Sequence, residues 1–309
     1  MSTTARRVRV SDVRIALLVN PVSGRRKGEQ IAGHAALRLS EAGHDVHVIQ
    51  GKDSASARDA LKQAIDGGLD GVVVVGGDGA LHDVLDQLAD SDLTFGLLPA
   101  GTGNDTARSL GIPVKDTDAA IDVVLRGNTR TIDLACADGT FVVTVVASGF
   151  DSKVNERANQ MRWPRGNMRY NLAIVAELRE FEPLDFTITL DPDGDGGGDS
   201  EVLHRKAMLV AVGNGPSFGG GLRICEGAEF DDGLLDVCII NPVSKVKLLR
   251  VFPQLYKGTH TRLPEFERHR VRRVTLESPG IVAYGDGERL GPLPRTVEIH
   301  PGALRVFVP

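Results

Sequence analysis

Over roughly the first 125 residues, short all-apolar runs alternate with stretches in which apolar residues recur every three or four positions. The runs are residues 15–19, 72–75 and 95–98, with 46–49, interrupted by His47, as a further strand. Rich in branched aliphatics and lacking polar alternation, they predict strands buried on both faces of a parallel sheet. Between them, three sets fall on single helical faces: Ile31, Ala35, Leu39 and Ala42; Ala57, Leu61, Ala64 and Ile65; and Leu81, Val84, Leu85 and Leu88. Ser54 is a candidate cap for the second helix, which Gly67-Gly68 would end. A short helix through Leu110 and another over residues 121–125 follow. Four alternating strand–helix units imply a doubly wound parallel sheet.

The pattern changes near residue 130. Residues 130–136 and 141–147 read as strands joined by Asp138-Gly139, a hairpin signal. Strand-like segments then dominate, at 185–190, 206–212, 234–240, 271–276, 281–284, 296–299 and 304–308. The clearest helices are 168–181 and 245–256. The chain thus divides into an α/β domain over residues 1–134, starting in earnest at about residue 13, and a mainly antiparallel β-sandwich over 135–309. The last strand is a candidate to return to the first domain. The acidic, glycine-rich run from Asp191 to Asp199 imitates a calcium loop, but Glu201 misses the closing position by one and the flanks are strands, so it reads as a hairpin tip.

In doubly wound sheets, ligands gather at the carboxyl ends of the strands. Three loops begin there, at Asn20, Gly76 and Pro99. Gly76, Gly77 and Gly79 would let a ligand approach the backbone N–H groups, and the helix that follows favours an anion. Asp78 would repel a bare phosphate and is explained by a divalent cation between the two. A nucleoside triphosphate with Mg²⁺ meets both demands. Thr102 and Asn104 can hydrogen-bond a nucleotide, and Asp105 supplies a second carboxylate; capping of a helix is the plainer role for Asn104-Asp105. The P-loop and dinucleotide glycine spacings are absent. Later come Gly149-Phe150-Asp151 and Gly285-Asp286-Gly287-Glu288. On an extended backbone Asp286 and Glu288 would point the same way, either one able to accept a hydroxyl proton. As a plain turn, the same residues need no chemistry.

A net charge of −5 gives nucleic acid no electrostatic foothold. Three scattered cysteines lack metal-ligand spacing and suit a reducing cytoplasm. Apolar runs are strand-length, so any membrane work would be done from the surface.

Asn20-Pro21-x-Ser23-Gly24, Gly76-Gly77-Asp78-Gly79, Gly101-Thr102-x-Asn104-Asp105, Gly149-Phe150-Asp151, Asp232-Gly233-Leu234-Leu235 and Asp286-Gly287-Glu288 occur in the order seen in soluble lipid kinases. From about residue 13 to the end, the chain resembles the diacylglycerol kinase catalytic-domain family, which includes bacterial diacylglycerol kinases and sphingosine kinases. That resemblance implies an ATP-binding α/β domain, a β-sandwich, and MgATP in a cleft between them. Asn20, Pro21, Ser23, Gly24, Gly76, Gly77, Asp78, Gly79, Ala80, Leu81 and Thr102 then correspond to nucleotide contacts. Asp78 and Asp105 would organise magnesium, with Asp133 behind them, and Asp286 or Glu288 would be the proton acceptor. A second, structural magnesium would fall at Asp232, with the carbonyls of Glu229 and Leu234. The family usually carries threonine where this chain has Ala80, and often proline where it has Glu226.

The implied activity is transfer of the γ-phosphoryl group of ATP to a lipid hydroxyl, diacylglycerol first, by an enzyme held peripherally at the inner membrane surface. Arg157, Arg162, Arg165 and Arg169, interleaved with Met161, Trp163, Met168 and Tyr170, are candidates for a membrane-facing rim, against the plainer reading of a solvated helical face. A homodimer is compatible with the resemblance. The competing readings are an NAD kinase-like enzyme, which shares Gly-Gly-Asp-Gly, and a nucleotide-binding regulator with catalysis weakened at Ala80.

Overall fold

The computed structural model describes residues 13–19, 25–161, 163, 172–173, 176–177, 182–194 and 200–309. The chain forms two units, Met1–Thr131 with Leu304–Pro309, and Ile132–Ala303.

The first unit contains, in order, β1 (Arg14–Val19), α1 (Arg25–Glu41), β2 (Asp45–Gln50), α2 (Ser54–Asp66), β3 (Gly71–Gly76), α3 (Asp78–His82), α4 (Leu85–Leu88), β4 (Thr94–Pro99), α5 (Asp105–Ser109) and α6 (Thr117–Arg126). Its sheet runs β2-β1-β3-β4, all parallel; β1, β3 and β4 are buried on both faces, whereas β2, at the sheet's edge, fully buries only Ile49. The end of the chain adds a further parallel strand beside β4, pairing Arg305 with Thr94 and Val306 with Phe95. Val72, Val73, Val74 and Val75 are wholly buried. Each such side chain contributes about 1.5–3 kcal/mol on leaving water, which fixes β3 at the sheet's centre.

Three local expectations are corrected. The cap of α2 is Asp53, in a capping box with Ser56, so Ser54 is the first helical residue. Ala42 lies past the end of α1 and is exposed. The helix expected through Leu81 and Leu88 is two short ones, because Val84 (φ −123°, ψ 0°) leaves the helical conformation between them. Leu81, Val84, Leu85 and Leu88 are still at most 1% exposed, so burial and not unbroken helix explains their spacing.

The second unit takes in most of β5 (Thr129–Ala137), then β6 (Thr140–Val142), β7 (Val145–Gly149), α7 (Phe150–Gln160), β8 (Leu184–Asp191), β9 (Glu201–Ala207), β10 (Leu209–Gly213), β11 (Leu235–Ile240), α8 (Lys245–Lys257), β12 (Phe266–Val271), β13 (Arg273–Glu277), β14 (Val282–Gly285), β15 (Glu288–Pro292) and most of β16 (Arg295–Phe307). One sheet runs β16-β13-β8-β9, with β5 on the other side of β16 and β6 beyond it. The other runs β12-β11-β10-β7-β14-β15, antiparallel throughout. Between them lies a core that includes Val146, Phe186, Ile188, Val210, Val237, Val274 and Val297.

Three segments that read as single strands are each two. Residues 141–147 break at Val143-Thr144, 206–212 at Met208, and 271–276 at Arg272. At every break the chain leaves one sheet and enters the other. These are the corners by which a sandwich closes on itself.

Candidate active site

In the first unit, the loops after β3 and β4 touch through glycine. A Cβ on Gly101 would stand 2.7 Å from the Gly77 Cα, and one on Gly77 would stand 3.0 Å from the Gly101 Cα. The absence of side chains here serves loop–loop packing.

Asp78, the first residue of α3, reaches across to α5. Its Oδ2 accepts the Asp105 N–H and its Oδ1 the Thr106 N–H, both at 3.0 Å. The helix cap is therefore supplied from 27 residues upstream. Asn104 occupies the N-cap position of α5, but its side chain makes no cap bond to the helix. It sits in the left-handed region (φ 53°), and its amide grips Gly101, accepting the N–H at 3.1 Å and donating to the carbonyl at 2.8 Å. Arg108, which sequence reasoning missed, braces the same loop by donating to the Gly103 carbonyl at 2.8 Å and the Asn104 carbonyl at 3.2 Å.

Asp78 and Asp105 converge on one small space. A Cβ on Gly103 would meet Asp78 Oδ2 at 3.1 Å and Asp105 Oδ2 at 3.4 Å. A carboxylate has about four acceptor sites, and the two N–H groups take up only part of Asp78's. Two carboxylate oxygens around such a gap suit a hard dication. Thr102 is exposed beside it. Ala80 and Leu81 are buried, and their N–H groups are bound to the Gly77 carbonyl at 3.0 and 3.3 Å. Ala80 lines a small cavity with Leu18, Val19, Val74, Val84 and the hydrogen-bonded pair Ser54 and Asp83. The departure from threonine therefore falls in the core. Asn20, Pro21, Ser23 and Gly24 lie outside the described residues.

In the second unit, the Gly-Asp-Gly-Glu segment is a hairpin turn. Asp286 (φ 50°) and Gly287 (φ 89°) are both left-handed and join β14 to β15 in the same way that Asp138 (φ 47°) and Gly139 (φ 88°) join β5 to β6. The backbone at 286–287 is not extended, so the alternation argument that aligned Asp286 with Glu288 fails. Asp286 turns inward. Its Oδ2 accepts the Val143 N–H at 2.7 Å, and its Oδ1 accepts the Thr144 N–H at 2.8 Å and the Thr144 hydroxyl at 2.5 Å. It thereby holds the corner between β6 and β7. Glu288 is exposed, and among the described residues its carboxylate makes no hydrogen bond.

Asp133 is likewise engaged, accepting the Gly302 N–H at 2.7 Å and the Gly233 N–H at 2.8 Å. Within the second unit its carboxylate ties the backbone near Gly233 to the backbone near Gly302. At the expected structural-metal position, Asp232 accepts the Leu234 N–H at 3.0 Å and pairs with the Arg270 guanidinium, while Glu229 is exposed. In this arrangement the Arg270 guanidinium balances the Asp232 carboxylate.

Asp151, in the first turn of α7, has its side chain buried, near the N–H groups of Asp151 and Ser152 but without a well-formed hydrogen bond to either oxygen. Burial pushes its carboxyl up to about 7, against the pull of the N–H groups of Asp151 and Ser152. Further along α7, Glu156 accepts the Tyr284 hydroxyl at 2.7 Å and Arg289 Nε at 2.8 Å, linking the helix to the hairpin that carries Glu288. Those two bonds lower the Glu156 pKa, the tyrosine's first, and burial together with the bond to Glu156 moves Tyr284 up to about 12. Tyr284 directly precedes the Gly-Asp-Gly-Glu run, a proximity that could have flagged it; nothing in the sequence marks Glu156.

Of the expected membrane rim, Arg157 is paired with Glu177. Met161 packs against Val154, Ala158 and Ala173, and Trp163 is 77% exposed. Arg162, Arg165, Met168, Arg169 and Tyr170 lie outside the described residues, as does most of the helix expected over 168–181. Among the described residues, no helix is long and apolar enough to cross a membrane.

Residues 14–137 match the family described as the diacylglycerol kinase catalytic domain, and residues 144–308 match the YegS C-terminal NAD kinase beta sandwich-like domain. A diacylglycerol kinase of Mycobacterium tuberculosis is 43% identical over 301 residues, covering 96% of this chain and 95% of its own. A protein of Pseudomonas aeruginosa named a probable YegS-like lipid kinase is 31% identical over 291 residues, covering 93% and 92%. A crystal structure of a diacylglycerol kinase from Bacillus anthracis superposes with a TM-score of 0.69 at 20% identity, covering 97% of each chain, a likeness of fold.

Proposed function

This chain belongs to the family of diacylglycerol kinases and YegS-like lipid kinases, and from that premise we propose that it transfers the γ-phosphoryl group of ATP to the hydroxyl of a membrane lipid. Diacylglycerol is the first candidate, with phosphatidic acid as product. The observation that carries the reading is the pair Asp78 and Asp105 around the space beside Gly103, at the strand ends where doubly wound sheets bind ligands. These two residues would hold Mg²⁺, which when bound offsets charge on the transferring group.

Between Asp286 and Glu288, the reading now favours Glu288 as proton acceptor. Asp286 already receives three hydrogen bonds that hold a corner of the sandwich, whereas Glu288 is unengaged among the described residues. Ala80, buried in the core, gives no ground for weakened catalysis. Access to the lipid is from the membrane surface, with exposed Trp163 among the groups that meet it.

The test is incubation with γ-labelled ATP and Mg²⁺, supplying in parallel a total lipid extract, diacylglycerol in mixed micelles, and NAD. Label in a lipid phosphate, lost in Asp78→Asn, supports the reading. Label in NAD alone overturns it in favour of a soluble dinucleotide acceptor.

A further inference from the structure

We propose that Cys136, Glu298 and His300 form a zinc site that staples β5 to β16. Residues alternate between the two faces of a strand. Ala135 and Ala137 of β5, Val142 of β6, and Val297 and Ile299 of β16 face the sandwich core. Cys136, Phe141, Glu298 and His300, one position out of phase, therefore share the opposite face. Across the strands Cys136 stands opposite Phe141, and the Asp138 N–H donates to the Thr296 carbonyl at 3.0 Å, which brings Cys136 level with Glu298.

The result is a thiol, a carboxylate and an imidazole whose ligand atoms all lie within 4.8 Å of one another, the only such trio among the described residues. Cys136 is 6% exposed. His300 Nε2 is 3.7 Å from Glu298 Oε1, and both side chains are open to solvent on one side. The ring of Phe141 stands edge-on to that of His300, centroids 5.3 Å apart at 87°.

Zinc binds thiolate, imidazole and carboxylate at about 2.0–2.3 Å in tetrahedral geometry. Glu298 and His300, the half-exposed members, have open space on their solvent side. Water would take the fourth position from the solvent side. A thiolate selects zinc over the hard cations that prefer oxygen alone, so this site and the Asp78–Asp105 pair draw on different metals. Each ligand joins β5 or β16, so the ion would add a cross-strand link to the sheet.

Titration of the full-length protein with Co²⁺ and with Zn²⁺, in excess Mg²⁺, tests this. One equivalent of Co²⁺ should give a thiolate-to-cobalt charge-transfer band that Zn²⁺ quenches and Cys136→Ser abolishes. Removal of an outer partner alone costs about 10–100-fold in metal affinity, so loss of a ligand in Glu298→Gln or His300→Gln should weaken Zn²⁺ binding at least ~10-fold. At one concentration of Zn²⁺, the Tm should rise more for the wild type than for His300→Gln. Should Cys136→Ser fail to fold, the wild-type spectrum and the two surface variants decide the matter. A wild-type titration without a thiolate band, or equal Zn²⁺ affinity in wild type and His300→Gln, would overturn the site.

Discussion

Asp286 accepts both the backbone N–H of Thr144, at 2.8 Å, and its hydroxyl, at 2.5 Å, across 142 residues of sequence. With the Val143 N–H on its other oxygen, this carboxylate fixes the place where the chain leaves one sheet of the sandwich for the other. Asp286→Asn sets an amide donor against one of these N–H groups. A buried donor left unsatisfied costs about 1–3 kcal/mol, so the variant should melt several degrees lower and lose activity in step with its folded fraction. Glu288→Gln should melt within ~0.5 kcal/mol of wild type yet lose kcat by about 10²–10⁴, the usual worth of a general base. Thermal unfolding and steady-state kinetics of the two variants check the division of labour. Full activity in Glu288→Gln would end it.

Asp78 is both the cap for α5 and half of the carboxylate pair, while the Asp105 side chain lies 3.8 Å from the Arg108 guanidinium and supplies no cap bond to α5's N–H groups. Asp78→Ala should therefore lose about 0.5–2 kcal/mol as a lost N-cap together with activity, whereas Asp105→Asn should lose activity with a smaller change in Tm. Magnesium titrations of activity should shift to higher concentration for both Asp78→Asn and Asp105→Asn. An unchanged magnesium requirement would remove the pair from metal binding.

The mutual contact of Gly77 and Gly101 makes a further demand. A Gly101→Ala methyl would lie 2.7 Å from the Gly77 Cα and 3.0 Å from Asn104 Oδ1, and backbone cannot yield as a flexible side chain does. Overpacking of this kind costs about 1–3 kcal/mol and should raise the KM for ATP by spreading the two loops. Gly139→Ala, in the hairpin turn at φ 88° with nothing within 4 Å of the new methyl, should lower the Tm and leave that KM unchanged.

Much of the first unit was legible because a strand buried on both faces writes itself as an uninterrupted apolar run, as at Val72 to Val75. The corners of the second unit were not. At Met208 and Arg272 a single residue carries the chain between sheets while the surrounding pattern stays strand-like on both sides, so local sequence shows no break. Asp286 and Glu288 are the reverse case, where the local sequence carries the turn signal. Asp-Gly was read as a hairpin signal at Asp138-Gly139, and the identical pair at Asp286-Gly287 obeys the same backbone preference. Motif order led to Asp78 and Asp105, but that Asp78 caps a helix begun 27 residues later, and that Asn104 grips Gly101, are decided by tertiary placement of the loops.

Trp163 is the chain's one tryptophan and is 77% exposed, so it reports on any surface that meets it. If the protein docks on anionic bilayers through this segment, adding vesicles of phosphatidylglycerol should shift tryptophan emission to the blue, and high salt should reverse the shift by screening. Trp163→Ala should weaken vesicle binding in a sedimentation assay. No spectral change at saturating lipid would place docking elsewhere.

Asp151 yields a pH dependence whose sign runs opposite to that of most carboxylates. Burial raises its folded pKa to about 7 from an ordinary 3.8. Below the ordinary value both folded and unfolded chains hold the proton, and its burial as a neutral acid costs least. Between about 4 and 7 the folded chain binds more protons than the unfolded one, so stability falls as pH rises; above 7 both have lost the proton and the cost is constant. The full swing is on the order of 4 kcal/mol. Asp151→Asn carries no titrating proton there, so it should match wild type near pH 4, gain on it steadily, and exceed it in urea midpoint at pH 8. The difference between the two stability curves isolates this group, because the remaining titratable groups are common to both. If binding of a substrate hydroxyl relieves the buried carboxyl, lipid micelles should narrow that difference, and the variant's KM for lipid should rise. A difference curve that is flat from pH 4 to 8 would show that the carboxyl is solvated and ordinary.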